Sequence, residues 1–291
     1  MFFKWITCSC KCIKKLELLR IGGIQNITIE SSSLENFRPR RHYNDPLHFN
    51  ISGEKLETID VELWPTYRRE PNSNSLKVFA PNLKHLKWKG SVGNVQNLGK
   101  LMSLEKVELL LRHEGNQFDT VIEVLCNISW PKVVIISKET IKAMFQEGSM
   151  GAPILDNICD LSVHCISLND DFVPAAGSLL RGMPNLNILC VRRAGTWIDA
   201  ETSESCGFGM EYWKLQNLAF LHQLKEVTIE YSDNGSNEIE FARYILEHAQ
   251  NLKKIVIVLN CETMRSKVVA EIVSRSKMIS TAAVMIRVEA H

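Results

Sequence analysis

One short phrase constrains this chain more than any other feature. It reads apolar-x-x-apolar-x-apolar and appears as LKEVTIE from Leu224 to Glu230 and as LKKIVIV from Leu252 to Val258. The two copies start 252 − 224 = 28 residues apart, which leaves about one helix's worth of sequence between them. That interval opens on Asp233, Asn234, Gly235, Ser236 and Asn237, a cluster of turn and helix-capping residues. Glu238 and Glu240 then fall in the first turn of a helix, where the helix dipole favours negative charge. Ile239, Ala242, Leu246 and Ala249 recur at helical spacing, with Phe241 and Ile245 widening the stripe. The spacing therefore predicts strand, turn, helix, loop, strand. A unit this small cannot bury its apolar face alone and has to stack on a neighbour, so the chain reads as a repeat protein.

Further copies run along most of the sequence. Counted from the first apolar residue they are Ile24-x-x-Ile27-x-Ile29, Leu56-x-x-Ile59-x-Val61, Leu83-x-x-Leu86-x-Trp88 and Leu104-x-x-Val107-x-Leu109. Trp130-x-x-Val133-x-Ile135, Ile158-x-x-Leu161-x-Val163 and Leu186-x-x-Leu189-x-Val191 precede the two copies above, and Thr281-x-x-Val284-x-Ile286 is a degenerate last one. Subtraction of successive starts gives steps of 32, 27, 21, 26, 28, 28, 38, 28 and 29 residues. Most lie in or near the range of leucine-rich repeats, in which each strand joins one sheet lining a curved solenoid. The expected fold class is α/β: a leucine-rich-repeat solenoid with a curved parallel sheet and helices or irregular segments on the convex side. An earlier strand at Leu16 to Ile21 is a candidate start.

Punctuation supports the register. Pro81-Asn82 and Pro184-Asn185 stand just before Leu83 and Leu186, and Asn251 keeps that place before Leu252. Proline stops the preceding segment and fixes φ, while asparagine can bond back to the local backbone. Helical stretches are expected at Phe118 to Cys126, Lys138 to Gln146, Pro174 to Gly182, Glu238 to Ala249 and Met264 to Ser276. Two steps are long. The stretch between Ile29 and Leu56 is polar and turn-rich. That between Val191 and Leu224 carries Trp197, Phe208, Tyr212 and Trp213, too many large rings for an idle linker. These four either pack back on the solenoid edge as a local lid or act as anchors of a partner-binding loop.

A net charge of +1 argues against a general polyanion binder, since nucleic-acid affinity rests on phosphate neutralisation. The local basic groups at Arg38, Arg40 and Arg41, at Arg68 and Arg69, and at Arg192 and Arg193 read as solvated loops and strand ends. Nine cysteines are an odd number. Cys159, Cys165, Cys190 and Cys261 lie in or beside apolar strand-like runs, as small buried thiols do, which points to a reducing compartment, cytoplasmic or nuclear. The opening MFFKWITCSCKCIKK lacks a signal h-region and cleavage site. No apolar run approaches the ~20 residues of a membrane helix, so no membrane partner is expected.

The segment from Tyr212 to Ile257 resembles the FBD domain of plant F-box proteins, and LKVFAPNLKHLKWKG and LLRGMPNLNILCVRR resemble their leucine-rich repeats. The resemblance implies an irregular tail over 1–15, leucine-rich repeats over 16–211, and an FBD-like domain over 212–291 that continues the solenoid. Such proteins typically carry an N-terminal F-box that docks the Skp adaptor of a cullin–RING ubiquitin ligase, while the repeats present a substrate. Here some fifteen residues precede the first strand and contain no Leu-Pro. The implied function is therefore the substrate-reading half of such a receptor: non-catalytic recognition of a protein or peptide. Skp adaptor and cullin are expected partners only if an F-box lies upstream. A truncated gene model, a splice form and a free-standing repeat protein or structural remnant all remain open.

No residues are expected to act in catalysis, hold a cofactor or bind a metal. Cys8, Cys10 and Cys12 form C-x-C-x-C, which lacks the spacing and second pair of a zinc site. His164 and Cys165 are adjacent on a strand, so their side chains diverge. The candidate site is instead a surface. In the phrase the apolar residues face the core and the alternate residues face the concave side. That row holds Thr58, Asp60 and Glu62, His85, Lys87 and Lys89, and Lys106 and Glu108. It continues with Asp160, Ser162 and His164, Arg192, and Glu226, Thr228 and Glu230. Its mixed charge suits a protein or peptide better than a phosphate backbone.

Overall fold

The computed structural model describes residues 12–19, 26–41, 48–63, 75–91, 95–112, 118–126, 128–145, 155–193, 207–231, 236–259 and 282–288. Two compact units, Met1–Val134 and Ile135–His291, contain them. In the first, strands β1 (Lys15–Leu19), β3 (Asn36–Arg41), β5 (Thr58–Leu63), β7 (His85–Ser91) and β9 (Lys106–Arg112) pair in that order, all parallel. Between them in sequence run β2 (Asn26–Glu30), β4 (His48–Ser52), β6 (Ser75–Phe79) and β8 (Val95–Asn97), which form a second parallel sheet. Each of these repeats is thus two strands, where a helix or irregular segment was expected behind the ladder.

The sequence explains the difference. Ile27 and Ile29, Phe49 and Ile51, and Leu76 and Val78 are 0–5% exposed and alternate with residues that are exposed or half-buried. That is the period of a half-buried strand, not of a helix. Ile27 and Ile29 of the copy that starts at Ile24 therefore belong to the second sheet. The first rungs of the ladder are β1 and Leu34-x-x-Phe37-x-Pro39, whose Leu34 and Phe37 are buried. Proline in the last apolar place disguised this copy. Pairing of β3 with β5 runs through Phe37↔Ile59 and resumes at Arg40↔Glu62, on either side of Pro39, which has no N–H to give. Phe37 meets Phe49 edge to face at 5.9 Å, joining the two sheets through one core. Helix α1 (Phe118–Cys126) lies where expected and packs by β8.

Strand β10 (Val133–Ser137) corrects a register. Val134 and Ile136 are 1% exposed, whereas Val133 and Ile135, the expected core positions, are half-buried. A slip of one residue exchanges the faces of a strand, and four consecutive β-branched residues give periodicity nothing to distinguish. Helix α2 (Lys138–Met144) follows without a loop, capped by Ser137, whose hydroxyl accepts from the Thr140 N–H.

In the second unit β11 (Asp160–Cys165), β12 (Ile188–Arg193), β13 (Glu226–Tyr231), β14 (Lys254–Leu259) and β15 (Ala283–Val288) pair in sequence order, all parallel. Leu161, Leu189, Val227, Ile255 and Val284 stand in one register row, as the phrase requires. Helices α3 (Val173–Arg181), α4 (Met210–Leu215) and α5 (Ser236–His248) and a 3₁₀ turn at Ala219–His222 are the intervening helical elements among the described residues. Most of the stripe expected on α5 is buried: Phe241, Ala242, Ile245, Leu246 and Ala249 are all at or below 5% exposure, while Ile239, its expected first member, is half-buried. Asn237, fully buried, donates to the Leu168 carbonyl (2.6 Å) and the Asp170 carboxylate (2.9 Å) and accepts from the Phe208 N–H (2.7 Å). Glu238 accepts from the Leu168 N–H, so the start of α5 ties down two loops. The helix expected at Met264 to Ser276 lies outside the described residues, as do Cys8, Cys10, Arg68, Arg69 and Cys261.

The asparagines before the phrase do more than bond locally. Asn82 donates to the carbonyl of Glu54, Asn185 to Asp156 and Asn251 to His222, at 2.6–2.9 Å. Ser103 does the same to Pro81 and Gln223 to Pro184. Each donor is the residue just before the first apolar position, and each acceptor lies two residues before that position in the preceding repeat. The side chain latches one rung to the last.

Candidate functional site

Side chains that alternate with the core positions form rows across each ladder, and in the first unit these rows are charged. Register sets Thr58 beside His85 beside Lys106, Asp60 beside Lys87 beside Glu108, and Glu62 beside Lys89. Arg40 reaches Glu17 (3.4 Å), Glu62 (3.8 Å) and Asp60 (4.0 Å), and Arg38 also reaches Asp60 (4.0 Å). Lys87 and Lys89 both reach Glu108, at 3.3 and 3.5 Å. Strands stand about 4.8 Å apart, so opposite charges set directly across from one another attract. The acidic β5 and basic β7 seen in the sequence are neighbours in register, while the ion pairs run from β5 to the arginines of β3 and from β7 to Glu108 of β9. Glu17, Asp60, Glu62 and Glu108 balance Arg38, Arg40, Lys87 and Lys89, leaving this group without net charge. Exposed His85 and Lys106 flank it.

The open face of the second unit differs. Asp160, Ile188, Glu226 and Lys254 form one row, and Ser162, Cys190, Thr228, Val256 and Met285 the next. His164 stands beside Arg192, and Glu230 beside Val258. Glu230 accepts from the Arg193 N–H at 2.9 Å. Arg192 donates to the Cys190 sulfur at 3.2 Å, a bond that raises its already high pKa, with Glu230 and Asp160 adding to the effect. Val256 and Val258 face away from the repeat core yet are only 5% and 7% exposed. This face turns apolar toward β14. Ile188, Cys190, Val256 and Val258 are apolar and so lie outside the polar row read from the sequence. Unbroken apolar runs such as IVIVL signal a strand buried on both sides.

The aromatic loop residues do not form one exposed cluster. Trp213 is fully buried and packs on Phe241 with ring centroids 4.3 Å apart. Tyr212 and Phe208 are half-buried and meet edge to face at 4.5 Å. A Cβ on Gly177 would stand 3.1 Å from the Tyr212 hydroxyl, so glycine lets α3 approach this cluster. Burial pushes the Tyr212 phenol pKa up. Trp197 lies outside the described residues. Among the described residues no group of three or more His, Cys, Asp or Glu could hold a metal ion, and no helix is long and apolar enough to cross a membrane.

Parallel rungs with buried residues three and then two apart, latched rung to rung and with a patterned open face, define a leucine-rich-repeat protein. Residues 219–257 match the FBD family. Over 273 residues the chain is 25% identical to an Arabidopsis thaliana protein named as an F-box/FBD/LRR-repeat protein, an alignment covering 88% of this chain and 49% of the relative. The chain is thus similar to F-box/FBD/LRR-repeat proteins, and it spans about half the length of the one it matches.

Proposed function

We propose that the chain recognises a protein partner through the open face of its repeats, without catalysis. By kinship this would make it the substrate-binding part of an F-box receptor of a cullin–RING ubiquitin ligase, working in the cytoplasm or nucleus. The observation that carries the reading is the register-locked face of alternating charge in the first unit. A protein surface with its own mixed charges can match such a face, whereas a phosphate backbone meets no net attraction there. Skp adaptor and cullin join only if the protein carries an F-box upstream.

Affinity purification from plant cells, followed by mass spectrometry, tests this. A partner protein should be recovered, and His85→Ala with Lys106→Ala should reduce its recovery while leaving the melting temperature unchanged. Skp and cullin subunits in the same eluate would place the chain in a ligase. A partner without them would make it a free-standing repeat protein. Unchanged recovery by the double variant would sink the open-face reading.

A further inference from the structure

The residue after the first apolar position of the phrase lies on the edge of the ladder where the strands begin. Backbone bonds set these residues side by side: Glu35 on Lys14, Glu57 on Glu35, Lys84 on Glu57 and Glu105 on Lys84 in the first unit. There the chain supplies both signs. Lys14 pairs with Glu35 at 2.9 Å and Lys84 with Glu57 at 2.8 Å. The hydrogen bond that Lys84 donates to Glu57 lowers the Glu57 pKa and raises the Lys84 pKa.

In the second unit the same edge runs Cys159, Asn187, Lys225, Lys253, joined by the same backbone bonds. Two lysines stand on adjacent strands, about 4.8 Å apart at the backbone, and both side chains are exposed. Among the described residues neither makes an ion pair. With Asn187, His222, Gln223 and Asn251 they line a cleft of about 330 Å³. The walls are fixed: Asn251 latches onto the His222 carbonyl, Gln223 onto Pro184, and Asn187 bonds the Asn185 carbonyl. The lysines supply the exposed positive charge. Five of the six lining residues fall within the FBD match at 219–257.

We propose that this cleft binds a segment of a partner protein rich in aspartate and glutamate. The segment's carboxylates would supply on this edge what Glu35 and Glu57 supply in the first unit. This places a second docking point on the strand-start edge, apart from the open face. A carboxylate is the favoured counterion because the chain itself uses one at the equivalent positions.

Fluorescence anisotropy on the full chain tests it with three labelled peptides of one length. One is rich in Asp and Glu, one has Asn and Gln in their place, and one is the neutral peptide with a single phosphoserine. The acidic peptide should bind best, and its affinity should fall with added salt. Lys225→Gln with Lys253→Gln should weaken it about five- to tenfold, the worth of two exposed ion pairs, whereas Lys225→Arg with Lys253→Arg should keep it. Equal binding of the acidic and amide peptides, preference for the phosphoserine peptide, or no loss in the glutamine variant would each overturn the proposal. Circular dichroism confirms that the variants fold, and the His85/Lys106 variant should bind the acidic peptide as the parent does. A failed cleft thus leaves the open-face reading standing, and the reverse holds too.

Discussion

Asn185 and Asp156 belong to successive repeats, and the 2.8 Å bond between them is of the kind that sets stability one residue at a time. It is exposed, so Asn185→Ala should cost about 0.5–1.5 kcal/mol, read as a lower urea midpoint with unchanged slope. Asn237 is another case, because it is fully buried and its amide serves three partners in two loops. Asn237→Ala strands those groups, and about 3 kcal/mol should be lost in the same assay. The sequence showed Asn237 only as part of a turn cluster, since nothing local reveals partners some seventy residues away. Cys165 was legible: a small thiol in an apolar strand, and it is 3% exposed. Burial pushes its pKa up. The neutral thiol is thus favoured in the fold, so its stabilising contribution is complete below the ordinary thiol pKa of about 8.5 and declines as pH rises beyond it. Iodoacetamide at mildly alkaline pH should label exposed Cys126 and spare Cys165 until the protein is denatured. Rapid native labelling of Cys165 would contradict the burial.

Among the elements, β10 offers the sharpest test of register. Ile136→Asp should be far more damaging than Ile135→Asp, because one buries a charge and the other leaves it at a half-buried site. Equal melting temperatures for the two variants would restore the register expected from sequence. Leu186→Asp, at a position with no exposed surface, should cost about 4 kcal/mol or more and yield insoluble or non-cooperatively melting protein. The phrase made β5, β7, β9 and β11–β14 readable, since each keeps three apolar residues in place, even where β12 and β14 carry further apolar residues between them. Helices α1, α2, α3 and α5 were readable from their spacing. What failed shows where pattern loses to context. Pro39 broke the phrase at β3, the polar stretch around His48 hid a strand whose two buried residues are Phe49 and Ile51, and the isoleucines of β2 matched the phrase while serving another sheet. Short strands of this kind are fixed by pairing with neighbours, which a local window does not contain.

At the scale of the molecule, the two units solve one problem with different backing. A strand-plus-strand repeat closes a core with a second sheet, and a strand-plus-helix repeat closes it with an apolar helix face. The open face was legible as a set of positions, because alternation alone assigns them, but its electrostatics were not. Asp60 and Lys87 lie 87 − 60 = 27 residues apart in sequence and side by side in register, so the neutralised group emerges only once strands are paired. The latch described above has a further consequence. It joins rungs separated by 104 − 83 = 21 residues as well as rungs separated by 224 − 186 = 38, with Ser103 serving the first and Gln223 the second. The hold of each rung on the last is therefore indifferent to how much chain is spooled out between them. A frame of this sort can lengthen, shorten or exchange its loops and so acquire new readers of new surfaces, while its spine stays in step.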